Sequence, residues 1–215
     1  MRVTAVEEQK RGVLSVSLDG VPTLTIAREV AVSHGVKVGL ALSPEQVFEL
    51  SKADDLYRAH QAALRYLSYR PRSEKEVRDR LRRGGFRVDI VDKEVAKLKE
   101  LALVNDATFA QFWKDGRENS RPRSQRVMKM ELRRKGIDVE VINDVVKDVD
   151  EEAGAYQTAS KKARSLGGLD EKAFYRRLGQ FLQRRGYRYD LARRVMERLW
   201  QEKQGADYLG ESNPG

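Results

Sequence analysis

The sequence predicts a mainly α protein: a tandem array of three three-helix repeats forming an elongated, curved body, preceded by a small N-terminal module that contains a β-hairpin. Three observations predict it. A motif recurs as Leu81-Arg82-Arg83-Gly84-Gly85-Phe86, Leu132-Arg133-Arg134-Lys135-Gly136-Ile137 and Leu182-Gln183-Arg184-Arg185-Gly186-Tyr187. Its turn glycines Gly85, Gly136 and Gly186 lie 51 and 50 residues apart, and a period near fifty marks one supersecondary unit used three times. Apolar residues on the flanking helices fall in register when the units are aligned on those glycines. The first fifty residues, by contrast, alternate apolar and polar side chains.

The N-terminal module spans 1–53. Val13-Leu14-Ser15-Val16-Ser17-Leu18 and Thr23-Leu24-Thr25-Ile26 flank Asp19-Gly20, a pair that tolerates the positive φ of a tight hairpin turn. Pro22 cannot donate to a ladder, which makes the second strand an edge. Arg28 to His34 reads as a short helix stopped by Gly35. Ser43-Pro44-Glu45-Gln46 opens another, with Ser as N-cap, Pro in the first turn and Gln reaching back.

Repeat one (54–104) offers helices over about 55–68, 73–83 and 89–100; repeat two (105–151) over 106–118, 124–135 and 140–150; repeat three (152–203) over 152–165, 171–185 and 190–203. Val77, Met128 and Leu178 align, as do Leu81, Leu132 and Leu182. In the third helices Ile90, Val141 and Leu191 align, then Val95, Val146 and Met196, then Leu98, Val149 and Leu199. Each set forms one inward stripe. Asp89, Glu140 and Asp190 place an acid at the positive end of each third helix, and Ser73 with Glu76 makes a capping box. Phe86, Phe112, Trp113, Phe181, Tyr187 and Trp200 read as core rather than as stacking platforms. Residues 204–215, with Gly205, Gly210, Asn213, Pro214 and Gly215, read as a flexible tail.

The chain has 42 Lys+Arg against 33 Asp+Glu and no cysteine. That leaves neither a disulfide framework nor a thiolate site, which fits a cytoplasmic protein. No apolar run approaches the ~18–20 residues of a membrane span, and the N-terminus has no signal-like apolar stretch. The charge is uneven: +5 over residues 51–104 and +6 over 154–215, but −1 over 1–50 and −1 over 105–153. Positive charge steers a chain towards anionic partners. Catalytic or cofactor chemistry is not expected: the two histidines, His34 and His60, sit in different modules, and no phosphate-binding loop or nucleophile elbow occurs.

The candidate partner-binding residues are therefore arginines. Arg70-Pro71-Arg72-Ser73 and Arg121-Pro122-Arg123-Ser124 are identical tetrapeptides. Proline and serine account for a helix break and an N-cap, but a turn does not need the doubled arginines, and the third unit's Leu166-Gly167-Gly168-Leu169 lacks them. Arg82, Arg83, Arg133, Arg134, Arg184 and Arg185 end the second helices, where the helix dipole already favours cations. On this reading, charge reversal at Arg70, Arg72, Arg121 and Arg123 weakens partner binding and leaves stability nearly unchanged.

The stretch from Ala62 through Tyr66 and Arg70 to Ser73, followed by Leu81 to Phe86, resembles the first repeat of the bacterial RecX family of RecA regulators. Arg121 to Ser124 with Leu132 to Ile137 resembles its second repeat, Phe181 to Tyr187 its divergent third, and the Leu18-Asp19-Gly20 hairpin its N-terminal extension. The resemblance implies a non-enzymatic, monomeric modulator that binds the RecA filament on single-stranded DNA along its groove. It implies lowered ATPase, strand exchange and co-protease activity, hence a role in homologous recombination, DNA repair and the SOS response. The alternative is a helix-turn-helix DNA-binding protein whose Arg78, Arg82, Arg83 and Arg87 touch phosphates; weak DNA contact inside a filament combines the two.

Overall fold

The computed structural model describes residues 1–10 and 12–211, with side chains described as far as 205. The chain divides into two compact units, Met1–Asn105 and Asp106 onward.

In the first unit, β1 (Val3–Glu8), β2 (Val13–Leu18) and β3 (Val21–Ala27) form an antiparallel sheet in the order β1-β2-β3. Asp19 and Gly20 turn the β2–β3 hairpin at φ 49° and 84°, the left-handed pair that a tight turn requires. Pro22 sits opposite Ser17 on the edge strand, beside a register shift between Val16 and Ser17. Strand β1 is an addition to the expected hairpin. It pairs along β2 from Val3 opposite Leu18 to Glu8 opposite Leu14.

After α1 (Arg28–Ser33), α2 runs unbroken over Pro44–Leu67, where the sequence suggests two helices. Its start is the predicted capping box, Ser43 with Gln46. The first half of α2 closes the sheet's core of Val3, Val16, Leu18, Ile26, Val30 and Leu50. Asp54, 3% exposed, accepts the Ala27 amide at 2.7 Å and so ties β3 to the helix. The second half belongs to repeat one: α3 (Glu74–Arg83) and α4 (Val88–Glu100) pack with it around Ala59, Ala63, Val77, Leu81, Ile90, Val95 and Leu98.

The second unit holds repeat two, α5 (Asp106–Ser120), α6 (Gln125–Arg134) and α7 (Val139–Val146), and repeat three, α8 (Glu151–Ala163), α9 (Glu171–Arg184) and α10 (Tyr189–Glu211). A 3-10 turn, Arg164–Leu166, follows α8. The aligned stripe residues are buried except Val141, which is half-buried while Ile142 beside it is fully buried. Phe86, Trp113, Phe181 and Trp200 pack partly buried against these cores, whereas Phe112 is 39% exposed and lies outside them. The largest wholly buried rings are Phe109 and Phe174. Helix α10 continues beyond 203 to Glu211, so the first part of the expected tail is helical; residues 212–215 lie outside the described residues.

Candidate partner-binding surface

The two Arg-Pro-Arg-Ser loops share a backbone task and differ in what their arginines do. Ser73 and Ser124 N-cap α3 and α6, each accepting the amide three residues on. In repeat one Arg70 holds Glu76 bidentately, at 3.1 and 3.3 Å, while Glu76 closes the capping box. Arg72 stacks 4.0 Å from the centre of the Tyr66 ring. Both arginines are thereby structural. In repeat two Val127 stands where Glu76 stands and Arg117 where Tyr66 stands. Arg121 is therefore exposed, with no side-chain partner among the described residues.

Arg123 turns instead to repeat three. Its Nη1 donates to the Arg184 carbonyl at 3.4 Å, Arg185 Nη1 donates to the Pro122 carbonyl at 3.3 Å, and the Ser124 amide donates to the Arg185 carbonyl at 3.1 Å. The loop of repeat two thus lies along the turn of repeat three. Arg185 also covers the Phe181 ring at 4.5 Å. Burial lowers the Arg185 pKa, and the Arg123 and Arg121 charges beside it act in the same direction. Tyr187, 3% exposed, has its hydroxyl pushed up to about 12, chiefly by burial.

Of the helix-end arginines, Arg82, Arg133, Arg134 and Arg184 are exposed and unpaired among the described residues. Arg83 is exposed but bonds back to the Asp79 carbonyl at 3.0 Å. The set drawn from the sequence therefore separates into five unpaired cations, Arg82, Arg121, Arg133, Arg134 and Arg184, and five that engage their own fold. Sequence reasoning missed a further polar pair: His60 Nδ1 lies 2.8 Å from Glu94, which is 2% exposed in the core of repeat one. Their spacing across two helices carries no local signal. Among the described residues no cluster of three or more His, Asp or Glu could hold a metal ion, and no helix is long and apolar enough to cross a membrane.

Models of the first, second and third three-helix domains of RecX match residues 59–98, 105–146 and 150–196, in chain order. A protein named regulatory protein RecX from Amycolatopsis mediterranei (strain U-32) is 37% identical over 152 residues, covering 69% of this chain and 87% of that one. The chain belongs to the RecX family. A RecX relative from Clostridium perfringens (strain SM101 / Type A) is 29% identical over 205 residues and extends the likeness to 92% of this chain and 96% of that one. A crystal structure of a regulatory protein RecX shares the fold with a TM-score of 0.67 at 22% identity, over 91% of this chain and 98% of that one. These findings assign the chain a RecX regulator role and a fold of three RecX three-helix domains in tandem behind a small antiparallel sheet.

Proposed function

We propose that this RecX-family chain is a cytoplasmic, monomeric, non-enzymatic regulator of RecA. It binds the RecA filament on single-stranded DNA along its groove and lowers ATP hydrolysis, strand exchange and co-protease activity. The observation that carries the reading, given the family, is the repeated cationic turn. Arg82, Arg133, Arg134 and Arg184 stand unpaired among the described residues at corresponding helix ends of three repeats. A cation already stabilised by its helix dipole has no need of exposure on every copy, whereas a partner that itself repeats gains from several matched contacts at once. The test is single-stranded-DNA-dependent ATP hydrolysis by RecA. A stoichiometric amount of the protein lowers it; unchanged hydrolysis together with no co-sedimentation of the protein with filaments rejects the reading.

Direct DNA recognition through repeat one has less support. Of its four proposed phosphate contacts, Arg78 is held by Glu74 and Asp92, Arg87 pairs with Asp89, and Arg83 bonds to backbone. Only Arg82 is unpaired among the described residues. In repeat two, Asp138, Glu140, Asp144 and Asp148 add negative charge on and around α7, which repels phosphates.

A further inference from the structure

The N-terminal sheet and repeat one belong to the same compact unit, and a cleft of about 600 Å³ opens between them. Thr25 and Ala27 of β3 line one wall, a stripe of α2 with Arg58, Gln61 and Arg65 lines the other, and Phe86 joins them from repeat one. Strand β3 turns an open edge outward here. In an antiparallel ladder, alternate residues aim both amide and carbonyl at the partner strand. Arg28 donates to the Gly12 carbonyl at 2.9 Å, so in this register Ile26 opposite Leu14 and Leu24 opposite Val16 face β2. The backbones of Thr25 and Ala27 therefore point away from the sheet. The Ala27 amide bears this out, since it donates to Asp54 of α2 at 2.7 Å. Thr25 is exposed, and its amide and carbonyl have no partner among the described residues. The open stretch is short: Pro22 ends it on one side and the Asp54 contact on the other.

The α2 wall changes character along its length. At one end Asp54 is buried against Ala27, Arg58 lies 3.7 Å from it, and Glu29 pairs with the Tyr57 hydroxyl. Arg65 stands eleven residues beyond Asp54, roughly 16 Å along the helix at 1.5 Å per residue. Its guanidinium is exposed and has no partner among the described residues. Between the two ends Gln61 is half-buried, with its side-chain amide unbonded among the described residues. A span of roughly 16 Å accommodates about five residues of extended chain.

We propose that this cleft binds a short extended segment of a partner protein, added as a strand to β3 at Thr25, with one of its acidic side chains held by Arg65. Each open group on the walls matches such a ligand. The Thr25 amide and carbonyl exchange two bonds with one residue of an antiparallel peptide. The Gln61 amide both donates to and accepts from a further peptide unit. The Arg65 fork takes the carboxylate, at the end of the cleft away from Asp54 and Glu29. Ala62 and Phe86 offer apolar surface to a side chain alternating with the acid. Single-stranded nucleic acid fits less well, because it brings phosphates to a wall that holds Glu29 and Asp54 and has no peptide group for Thr25. A second copy of this chain would offer only an equally short edge. The site does not depend on the recombinase reading.

The test is selection of random octapeptides displayed on phage against the full chain, with Thr25→Pro as the decoy. Proline there removes an N–H that points away from β2, so the variant keeps its ladder bonds and stays folded. The enriched peptides carry Asp or Glu, and fluorescence anisotropy shows Arg65→Gln weakening them roughly tenfold, the scale of one lost charge-assisted bond. Bound peptide slows hydrogen exchange at the Thr25 amide, and N-methylating the peptide backbone abolishes binding. If Thr25→Pro does not fold, Arg65→Gln serves as the decoy, and amide exchange with the N-methylated peptide decides. No peptide enriched over the decoy, or enriched peptides that bind Arg65→Gln undiminished, overturn the proposal. A single-stranded oligonucleotide that protects the Thr25 amide where no peptide does gives the cleft to nucleic acid, and a dimer lost in Thr25→Pro gives it to a second copy; either overturns it too. None of these measurements involves RecA, so failure here leaves the ATPase test of the recombinase reading intact.

Discussion

Gly186 carries two constraints where the corresponding glycine of repeat one carries only one. Its φ of +89° is in the left-handed region, as is the +83° of Gly85. A Cβ at Gly85 would meet nothing within 4 Å, whereas one at Gly186 would fall 2.3 Å from Val127 Cγ2 and 2.4 Å from Ser124 Oγ. Alanine at 85 therefore costs only the left-handed backbone, roughly 1–2 kcal/mol. At 186 it also forces the start of α6 away from the turn, bringing the cost to roughly 2–5 kcal/mol when overpacking is added. Urea unfolding of the two variants checks this: Gly186→Ala loses clearly more stability than Gly85→Ala. The same comparison explains how alike motifs reach unlike ends. The residue that fixes Arg70 is Glu76, and the change to Val127 in the next repeat both releases Arg121 and provides the methyl group that meets Gly186.

Helix α2 serves two cores at once, and Asp54 lies where they divide. Burial raises the Asp54 pKa, opposed by its bond from the Ala27 amide and by Arg58. A carboxyl whose folded pKa lies above its unfolded one binds more protons when folded. Its contribution is then fully present below the ordinary carboxylate range and is lost as pH rises through the raised value. Asp54→Asn keeps an acceptor for Ala27, so its stability falls less steeply across that window than the wild type's, as urea unfolding at stepped pH would measure. The repeat cores predict more simply. Leu81 and Leu132 are fully buried, and truncating either to alanine costs roughly 2–5 kcal/mol by leaving a cavity. Those leucines were legible in the sequence, as were the hairpin turn, the two serine caps and the edge proline, because period and local turn chemistry declare them. Strand β1 was not: its last two residues, Glu7 and Glu8, break the alternation, and a lone Gly12, at φ 72°, is the weak turn signal that leads into β2. The continuity of α2 was equally hidden, since Asp54-Asp55 reads as a helix start until the Ala27 amide supplies the buried partner. Of the candidate site, the sequence shows where the arginines lie. Which of them the fold uses depends on Glu76, Tyr66 and the turn of repeat three, contacts made across a repeat or from one repeat to the next.

Over the whole chain the net charge is +9, yet only part of it is available to a partner. Reversing charge at Arg70, Arg72, Arg121 and Arg123 cannot leave stability nearly unchanged as one operation, because those four positions do different things. Arg70→Glu would face Glu76 across a half-buried contact that now accepts two hydrogen bonds, and Arg123→Glu would break the crossing with repeat three. Each is expected to cost about 2–4 kcal/mol, somewhat less than removing one partner of a fully buried pair. At about 2–4 °C per kcal/mol for a chain of this size, either lowers the melting temperature by several degrees. Replacing Arg82, Arg133, Arg134 and Arg184 together by glutamine breaks no ion pair among the described residues and gives up only the helix-end attraction, roughly 0.3–1 kcal/mol at each, so the variant stays folded with a modestly lowered melting temperature while the chain loses four units of positive charge. If the exposed turns contact a filament of protein and nucleic acid, that fourfold variant stops lowering RecA ATP hydrolysis. The wild type's effect should also weaken steeply with added salt, as release of counterions from neutralised phosphates requires. A variant that stays folded and still inhibits fully would place the contact elsewhere, on Arg121 or on cations outside these turns.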